Sequence, residues 1–510
     1  MQDPRVSPYR EMRNTTQQDL SPPFWARQKG VLLIIGLWAL AHAAVAIFLE
    51  NAINVDDAIE SYLVQSFDLN YVQRNPPVFD WILYALQQVV GTGPLSFAIM
   101  RYGLLFLCAY LVYRIACRVI VDPRLQAMAV YSLSAIWVVG YHSHRILTHS
   151  NVMIVGIAGT FLTLLAIVRR PSLALYAGLG FWMAWGLIGK FGFAAFLALL
   201  VVACLLEPRF RRVLLDRRII VSCVVAALPL LIYSIGLRAD RQDVMDAAIE
   251  TMGHTGADWK IVTTSWVDAL FGYVMPLVAL MAVIFLPFNR GGGERPEGSE
   301  ERAAMRRVLR NIMLLGVLAS FVMVLAMGVS TFRDRYFHVF LLLLPVYLFA
   351  ELELLGGWRP RAAVYLSILA ALAIGILGGR ILVTFWPSPE LCRRCLAAEP
   401  LGKIAPIIFE TLGPSPTLVA DDRTSGGRLR AAVPGARVLV LGEREYKPPS
   451  RASTGCARVS GISTGTPVRL PPPRRETIEV AIKWPAPLLR PPRWSDWQII
   501  PLPADSPMCR

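Results

Sequence analysis

Only 17% of the 510 residues are charged, against 55% hydrophobic, which leaves too little polar surface to clothe a soluble globule of this size. Acidic residues are the scarcer sign: 36 Asp and Glu face 51 Lys and Arg, a net charge of +15. No small-residue cleavage site follows the first apolar run, and the polar segment 1–30 precedes it, so the run reads as a retained anchor and not as a removable signal peptide. Hydropathy shows no internal repeat, and ionisable residues avoid the span centres. A transporter or lipid flippase should show a repeat and charged or broken helices near the midplane, so it is the alternative class, with a non-enzymatic scaffold as the third.

What the chain does have is long apolar runs. Crossing roughly 30 Å of hydrocarbon takes about 17 to 25 such residues. Runs of that kind lie at 31–49, 95–119, 125–141, 152–168, 173–188, 191–206, 219–235, 267–288, 312–329, 337–350 and 362–383, predicting an all-α polytopic membrane domain of about 11 transmembrane helices over 31–385. Basic clusters at 10–29, 114–124, 169–170, 209–218, 290–310 and 359–361 fall on alternate loops, which places those loops in the cytoplasm together with the N-terminal segment 1–30. The positive charge is accordingly a topology signal that also suits anionic headgroups, and it calls for no nucleic-acid partner.

Residues with chemical potential collect on the opposite face: Asp56, Asp57, Arg74, His149, Lys190, Asp334 and Arg335. A charge at the lipid boundary is costly unless it meets water or protein, so the acidic pair behind the first span marks a candidate site. In the first outer loop, 51–94, the apolar positions of 57–67 and 76–90 are spaced for one helical face each. Both predict juxtamembrane helices roofing the bundle, the second opened by Pro76 and Pro77.

Composition changes after the last span. Residues 386–510 are rich in proline and arginine, with strand-like runs at 417–420, 436–441, 477–484 and 497–502, which predicts a small mixed α/β extracytoplasmic domain. Cys392, Cys395, Cys456 and Cys509 lie in it and are disulfide candidates of open connectivity, because no second pair at matching spacing completes a zinc set. His142, His144 and His149 straddle the end of one span and the start of the next, with no obvious carboxylate to complete a metal site. No metal or cofactor is indicated.

Several ordered marks then carry a resemblance. They are Val55-Asp56-Asp57-Ala58, Asn75-Pro76-Pro77-Val78-Phe79-Asp80-Trp81, Arg101, Leu147-Thr148-His149-Ser150, Leu187-Ile188-Gly189-Lys190-Phe191-Gly192 and Arg335-Tyr336 before Leu344-Pro345. In this order the chain resembles the bacterial GT-C glycosyltransferases that use polyprenyl-phosphate sugars, a group including aminoarabinose lipid A transferases, protein O-mannosyltransferase-like proteins and rhizobial galacturonosyltransferases. It departs from the aminoarabinose enzymes at Asn75, where they carry lysine, and at His149, where they carry aspartate. Asp57 stands where the family usually shows glutamate.

The resemblance implies an integral enzyme of a bacterial inner membrane, moving a sugar from a polyprenyl-phosphate donor to an envelope glycan, lipid or protein, lipopolysaccharide among them, on the periplasmic side. Such chemistry needs a base for the acceptor hydroxyl and cations for the phosphate that leaves. Asp56 is the candidate base with Asp57 its neighbour; Lys190, Arg335, Arg74 and Arg145 are candidates for the donor phosphate; Glu60, Asn75, His149 and Tyr336 for the remaining substrate contacts. Each has a plainer reading beside it: first-turn carboxylates favour a helix N-terminus, and boundary cations snorkel to headgroups.

Overall fold

The computed structural model describes residues 21–72, 75–146, 148–237, 256–286, 300–388, 391–392, 395–462, 477–485, 493–503 and 505–510. The principal helices are α1 (Gln28–Ala44), α2 (Val55–Leu63), α3 (Val78–Val90), α4 (Pro94–Val119), α5 (Pro123–Tyr131), α6 (Thr148–Arg169), α7 (Leu173–Leu187), α8 (Gly192–Leu206), α9 (Ile219–Gly236), α10 (Trp259–Phe285), α11 (Glu300–Met327), α12 (Leu344–Leu355), α13 (Ala362–Phe385), α14 (Ile404–Leu412) and α15 (Arg423–Ala432).

Among the described residues, 7 helices are long and apolar enough to cross a membrane: α1 with the π-turn Val45–Leu49 that extends it, α4, α6, α9, α10, α11 and α13. Segment Asp334–Leu341 and α12 reach that length and apolarity only as a pair, which is bent by 56°. Pro345 in the first turn of α12 explains a fresh start there, because proline lacks the N–H that would continue the preceding helix. Helices α7 and α8 are apolar but 15 residues each, or about 22 Å of rise.

Within the described residues all eleven apolar runs thus fall on helical segments, but 125–141 is not one continuous helix. It splits into α5, the 3-10 turn Ser132–Ala135 and the short helix Trp137–Gly140. Ser132 Oγ donates to Met128 O at 2.6 Å and Ser134 Oγ to Tyr131 O at 2.7 Å, hydroxyl bonds that compete with the helical ladder.

Outward faces are apolar because hydrocarbon covers them. Along α9, Ile220, Val224, Leu228, Leu231 and Ile235 are exposed, while Ser222, Ala226 and Tyr233 turn inward. Between α6 and α7 small residues let backbones touch: a Cβ on Gly156 would lie 3.0 Å from Gly186 Cα.

The C-terminal region adds β1 (Thr417–Ala420), β2 (Arg437–Val440), β3 (Cys456–Ile462), β4 (Ile478–Lys483) and β5 (Trp494–Leu502) in the order β2-β1-β3-β5-β4. Strand β1 runs parallel to β2 and β3; β5 is antiparallel to β3 and β4. All four residues of β1 are buried, as an inner parallel strand requires, and α15 makes the crossover from β1 to β2. Glu399, wholly buried, is matched by Arg428 Nη2 at 2.6 Å, Ser495 Oγ at 2.6 Å and Trp497 Nε1 at 2.9 Å. Two disulfides close the region, Cys392–Cys395 and Cys456–Cys509. The juxtamembrane pair is present as α2 and α3, with α2 ending at Leu63, short of the expected 67.

Candidate active site

Helix α2 opens directly after the extended residue Asn54 and carries Asp56 and Asp57 in its first turn, where free N–H groups favour negative charge. Successive positions point about 100° apart, so the two carboxylates diverge. Asp57 turns into the protein, 4% exposed, and meets Arg101 Nη2 of α4 at 2.5 Å. The other arm of Arg101 donates to the His144 carbonyl at 2.9 Å, so the guanidinium is held at both ends. Asp56 remains half-buried. Burial pushes the Asp57 carboxyl up to about 6, opposed by Arg101 and reinforced by the negative charges of Asp56 and Glu50.

One turn on, Glu60 faces the same interior. Its Oε1 lies 3.2 Å from His149 Nε2 and accepts from Thr148 Oγ1 at 3.4 Å. Asp80 of α3 completes the group, its Oδ2 3.9 Å from the same histidine nitrogen. Burial and the adjacent Glu60 hold Asp80 well above the usual carboxylate range. The expectation that no carboxylate stands near His149 is corrected here: α2 and α3 each deliver one, through contacts remote in sequence. His144 goes elsewhere and stacks on His42 with ring centres 3.8 Å apart.

The cations reach the same face by separate routes. Lys190 donates to Ser150 Oγ at 2.6 Å, and its loop is fixed to α3 by the Val78 N–H on Ile188 O at 3.1 Å. Arg145 donates to the Tyr141 hydroxyl at 2.7 Å and lies over that ring. Arg335 lies over Tyr336. Asp334, Arg145 and Arg335 are the charged neighbours of His142, and Lys190 and the His142 ring lie near His338, so these segments meet at one end of the bundle. Asn75 bridges to Val72 ahead of α3. Arg74 lies outside the described residues.

Arg380 and its partners Glu50, Tyr102 and His42 were not singled out in the sequence. Arg380 of α13 donates to Glu50 Oε1 at 2.7 Å, to the Tyr102 hydroxyl at 2.7 Å and towards His42 Nδ1 at 2.8 Å, which ties the last span to the turn leading into α2. The signal was an arginine inside the apolar run 362–383, which must find a partner to be tolerated there. Glu50, Asn54, Arg145 and Arg380 line a small cavity of about 30 Å³.

Residues 74–235 match the family of dolichyl-phosphate-mannose-protein mannosyltransferases. The chain is 23% identical over 472 residues to the lipopolysaccharide core galacturonosyltransferase RgtB of Rhizobium johnstonii, covering 90% of this chain and 92% of that one. It is 26% identical over 432 residues to the same organism's lipopolysaccharide core galacturonosyltransferase RgtA, covering 80% and 81%. The fold is similar to that of ArnT from Cupriavidus metallidurans, solved bound to undecaprenyl phosphate, with a TM-score of 0.54 at 14% identity over 86% of this chain and 94% of that one. The fold is that of a multi-span membrane protein of the GT-C type. In its family match and its relatives the chain is similar to glycosyltransferases.

Proposed function

We propose that the protein transfers a galacturonosyl residue from a polyprenyl-phosphate donor to a lipopolysaccharide core on the periplasmic face of a bacterial inner membrane. The observation that carries this reading is the first turn of α2: Asp57 is locked to Arg101 inside the protein, and the same turn presents Asp56 half-buried, on the face where Lys190, Arg145 and Arg335 gather. The acceptor hydroxyl attacks the anomeric carbon as its proton passes to Asp56. The bond from that carbon to the phosphate oxygen breaks, and polyprenyl phosphate leaves with inversion at the sugar. Lys190 acts on the departing phosphate as a point charge and the arginines as forks. Glu60, His149, Asn75 and Tyr336 serve the remaining contacts.

The bias of the acceptor class comes from the rhizobial relatives, whose names specify lipopolysaccharide core and galacturonosyl transfer. The N-terminus is cytoplasmic and residues 386–510 form a periplasmic domain, a placement supported by its disulfides, which persist in an oxidising compartment. Purified protein given polyprenyl-phosphate galacturonic acid and isolated core oligosaccharide should add one hexuronic acid to the acceptor by mass. Movement of donor across vesicles with no covalent product would instead establish a flippase.

A further inference from the structure

We infer that a cavity between α1 and α13 holds one acyl chain of an anionic phospholipid, in the leaflet opposite to the candidate active site. Arg380, near the end of α13, reaches His42 near the end of α1 and Glu50 just beyond it, so the two helices run the same way and meet there. Nearer their starts a cavity of about 350 Å³ lies between them. Ile34 and Trp38 of α1 and Leu369, Ala370 and Ala373 of α13 line it, and Leu105 of α4 adds a third wall.

Protein interiors hold few gaps larger than a water molecule, so this space has the size of a ligand site and not of a packing fault. Its lining excludes a polar guest. Among the described residues no charged side chain faces it, and its hydroxyls are already used: Tyr131 donates to Trp25 O and Ser134 to Tyr131 O, both at 2.7 Å. Ile34 and Ala370 are themselves exposed, so the cavity opens sideways, where hydrocarbon surrounds the spans.

The rim identifies the lipid. Arg27 and Lys29 stand at the start of α1, and Arg359 and Arg361 bound the 3-10 turn that leads into α13. Asp122, 3.6 Å from Arg359, offsets one of these four charges. Ile34 and Ala370 lie about 9 and 12 Å deeper than the first residues of their helices, so a phosphate held at the cations sets its acyl chain at the opening. Cations at helix ends also orient the chain, but here they flank the mouth of one cavity from both sides. A prenyl tail would fit the same space, yet hydrocarbon alone makes no use of those charges, whereas an anionic phospholipid uses both features. The lipid wedges α1 to α13 on the far side of the Arg380–Glu50 pair, and this holds whichever sugar is transferred.

Full-length protein in mild detergent, stripped of lipid, is given phosphatidylglycerol or zwitterionic phosphatidylethanolamine at equal concentration and weighed by native mass spectrometry. We expect one retained phosphatidylglycerol per chain and at least about tenfold weaker retention of phosphatidylethanolamine. Ala370→Trp, which fills the cavity, should abolish retention, whereas Ile368→Trp, on the opposite and exposed face of α13, should preserve it. Unchanged retention in Ala370→Trp, or equal retention of the two lipids, overturns the proposal. Should Ala370→Trp fail to fold, the wild type decides with phosphatidylglycerol carrying a photoreactive acyl chain: cross-links within 34–38 and 366–373 sustain the proposal, and their absence from both segments overturns it. Undecaprenyl phosphate that displaces the phospholipid and abolishes those cross-links overturns it too, since the cavity then belongs to a prenyl tail.

Discussion

Gly427 of α15 lies so close to Ala58 of α2 that a Cβ on it would stand 1.6 Å from the Ala58 carbonyl oxygen. Ala58 follows the acidic pair directly, so the C-terminal region packs backbone to backbone on the helix that carries the candidate base. A helix of nine residues is too short to hold itself in water, and α2 needs such support. Arg430 of α15 supplies more, donating to Ser61 O at 2.6 Å, Val64 O at 3.1 Å and Gln87 Oε1 at 2.8 Å. Those carbonyls end α2, where free C=O groups favour a cation. Gln65 then bonds both the N–H and the carbonyl of Val438 in β2.

Gly427→Ala should therefore undo the docking of α15. Overpacking of this kind costs about 1–3 kcal/mol when neighbours can shift, and here the neighbour is backbone. Thermal melting in detergent should show a lowered midpoint and transfer should fall, whereas Gly402→Ala, with open space around it, should match the wild type. Equal melting of both variants would remove the C-terminal region from the support of the site.

The Asp57 carboxyl gives a pH signature. Its folded value of about 6 lies above the ordinary 3.8, so between the two the folded chain holds a proton that the unfolded chain lacks. Stability from this group is full below the lower value and is lost as pH rises through about 6, by about 3 kcal/mol in all. Denaturation midpoints of the wild type, compared with Asp57→Asn across that window, should diverge with rising pH in favour of the variant. Parallel curves would show that Asp57 titrates normally.

Much of this was legible from residue order, and the remainder fails for a common reason. Apolar runs locate helices because hydrocarbon thickness demands them, and runs 417–420, 436–441 and 477–484 each hold a strand, while 497–502 falls within the longer β5. Strand β3 escaped because Arg458, Ser460 and Gly461 dilute its apolar residues, and the break at Ser132–Ala135 escaped because hydropathy does not see hydroxyls bonding backbone. The acidic pair was legible as a boundary anomaly. Its partners were not: Arg101 is 44 residues from Asp57, and Arg380 is 330 from Glu50, so only the packed bundle unites them.

Both disulfides should be intact in protein from an oxidising compartment. Alkylation without reductant should spare Cys392, Cys395, Cys456 and Cys509, and reduction should expose all four. Cys456→Ser with Cys509→Ser opens a loop of sequence separation 53, a loss of about 4 kcal/mol on chain-entropy grounds, so the sheet should melt earlier. Ready labelling of the untreated protein would sink the proposed periplasmic placement.

The mechanistic roles should separate in mutants. A general base acts in the transition state, while donor affinity rests on the cations, so Asp56→Asn should cut turnover by about 10²- to 10⁴-fold and leave donor binding near wild type. Lys190→Ala and Arg335→Ala should weaken donor binding as well as turnover, because the phosphate carries charge before and after the sugar leaves. Lys190 also bonds Ser150 at the start of α6, so Ser150→Ala serves as the control for local disturbance and should alter donor binding less than loss of the lysine. Binding would be followed with polyprenyl phosphate in nanodiscs and turnover with the sugar-loaded donor. Full turnover by Asp56→Asn would dismiss it as the base, and an active Asp57→Asn beside it would dismiss the first turn of α2 as the reaction centre.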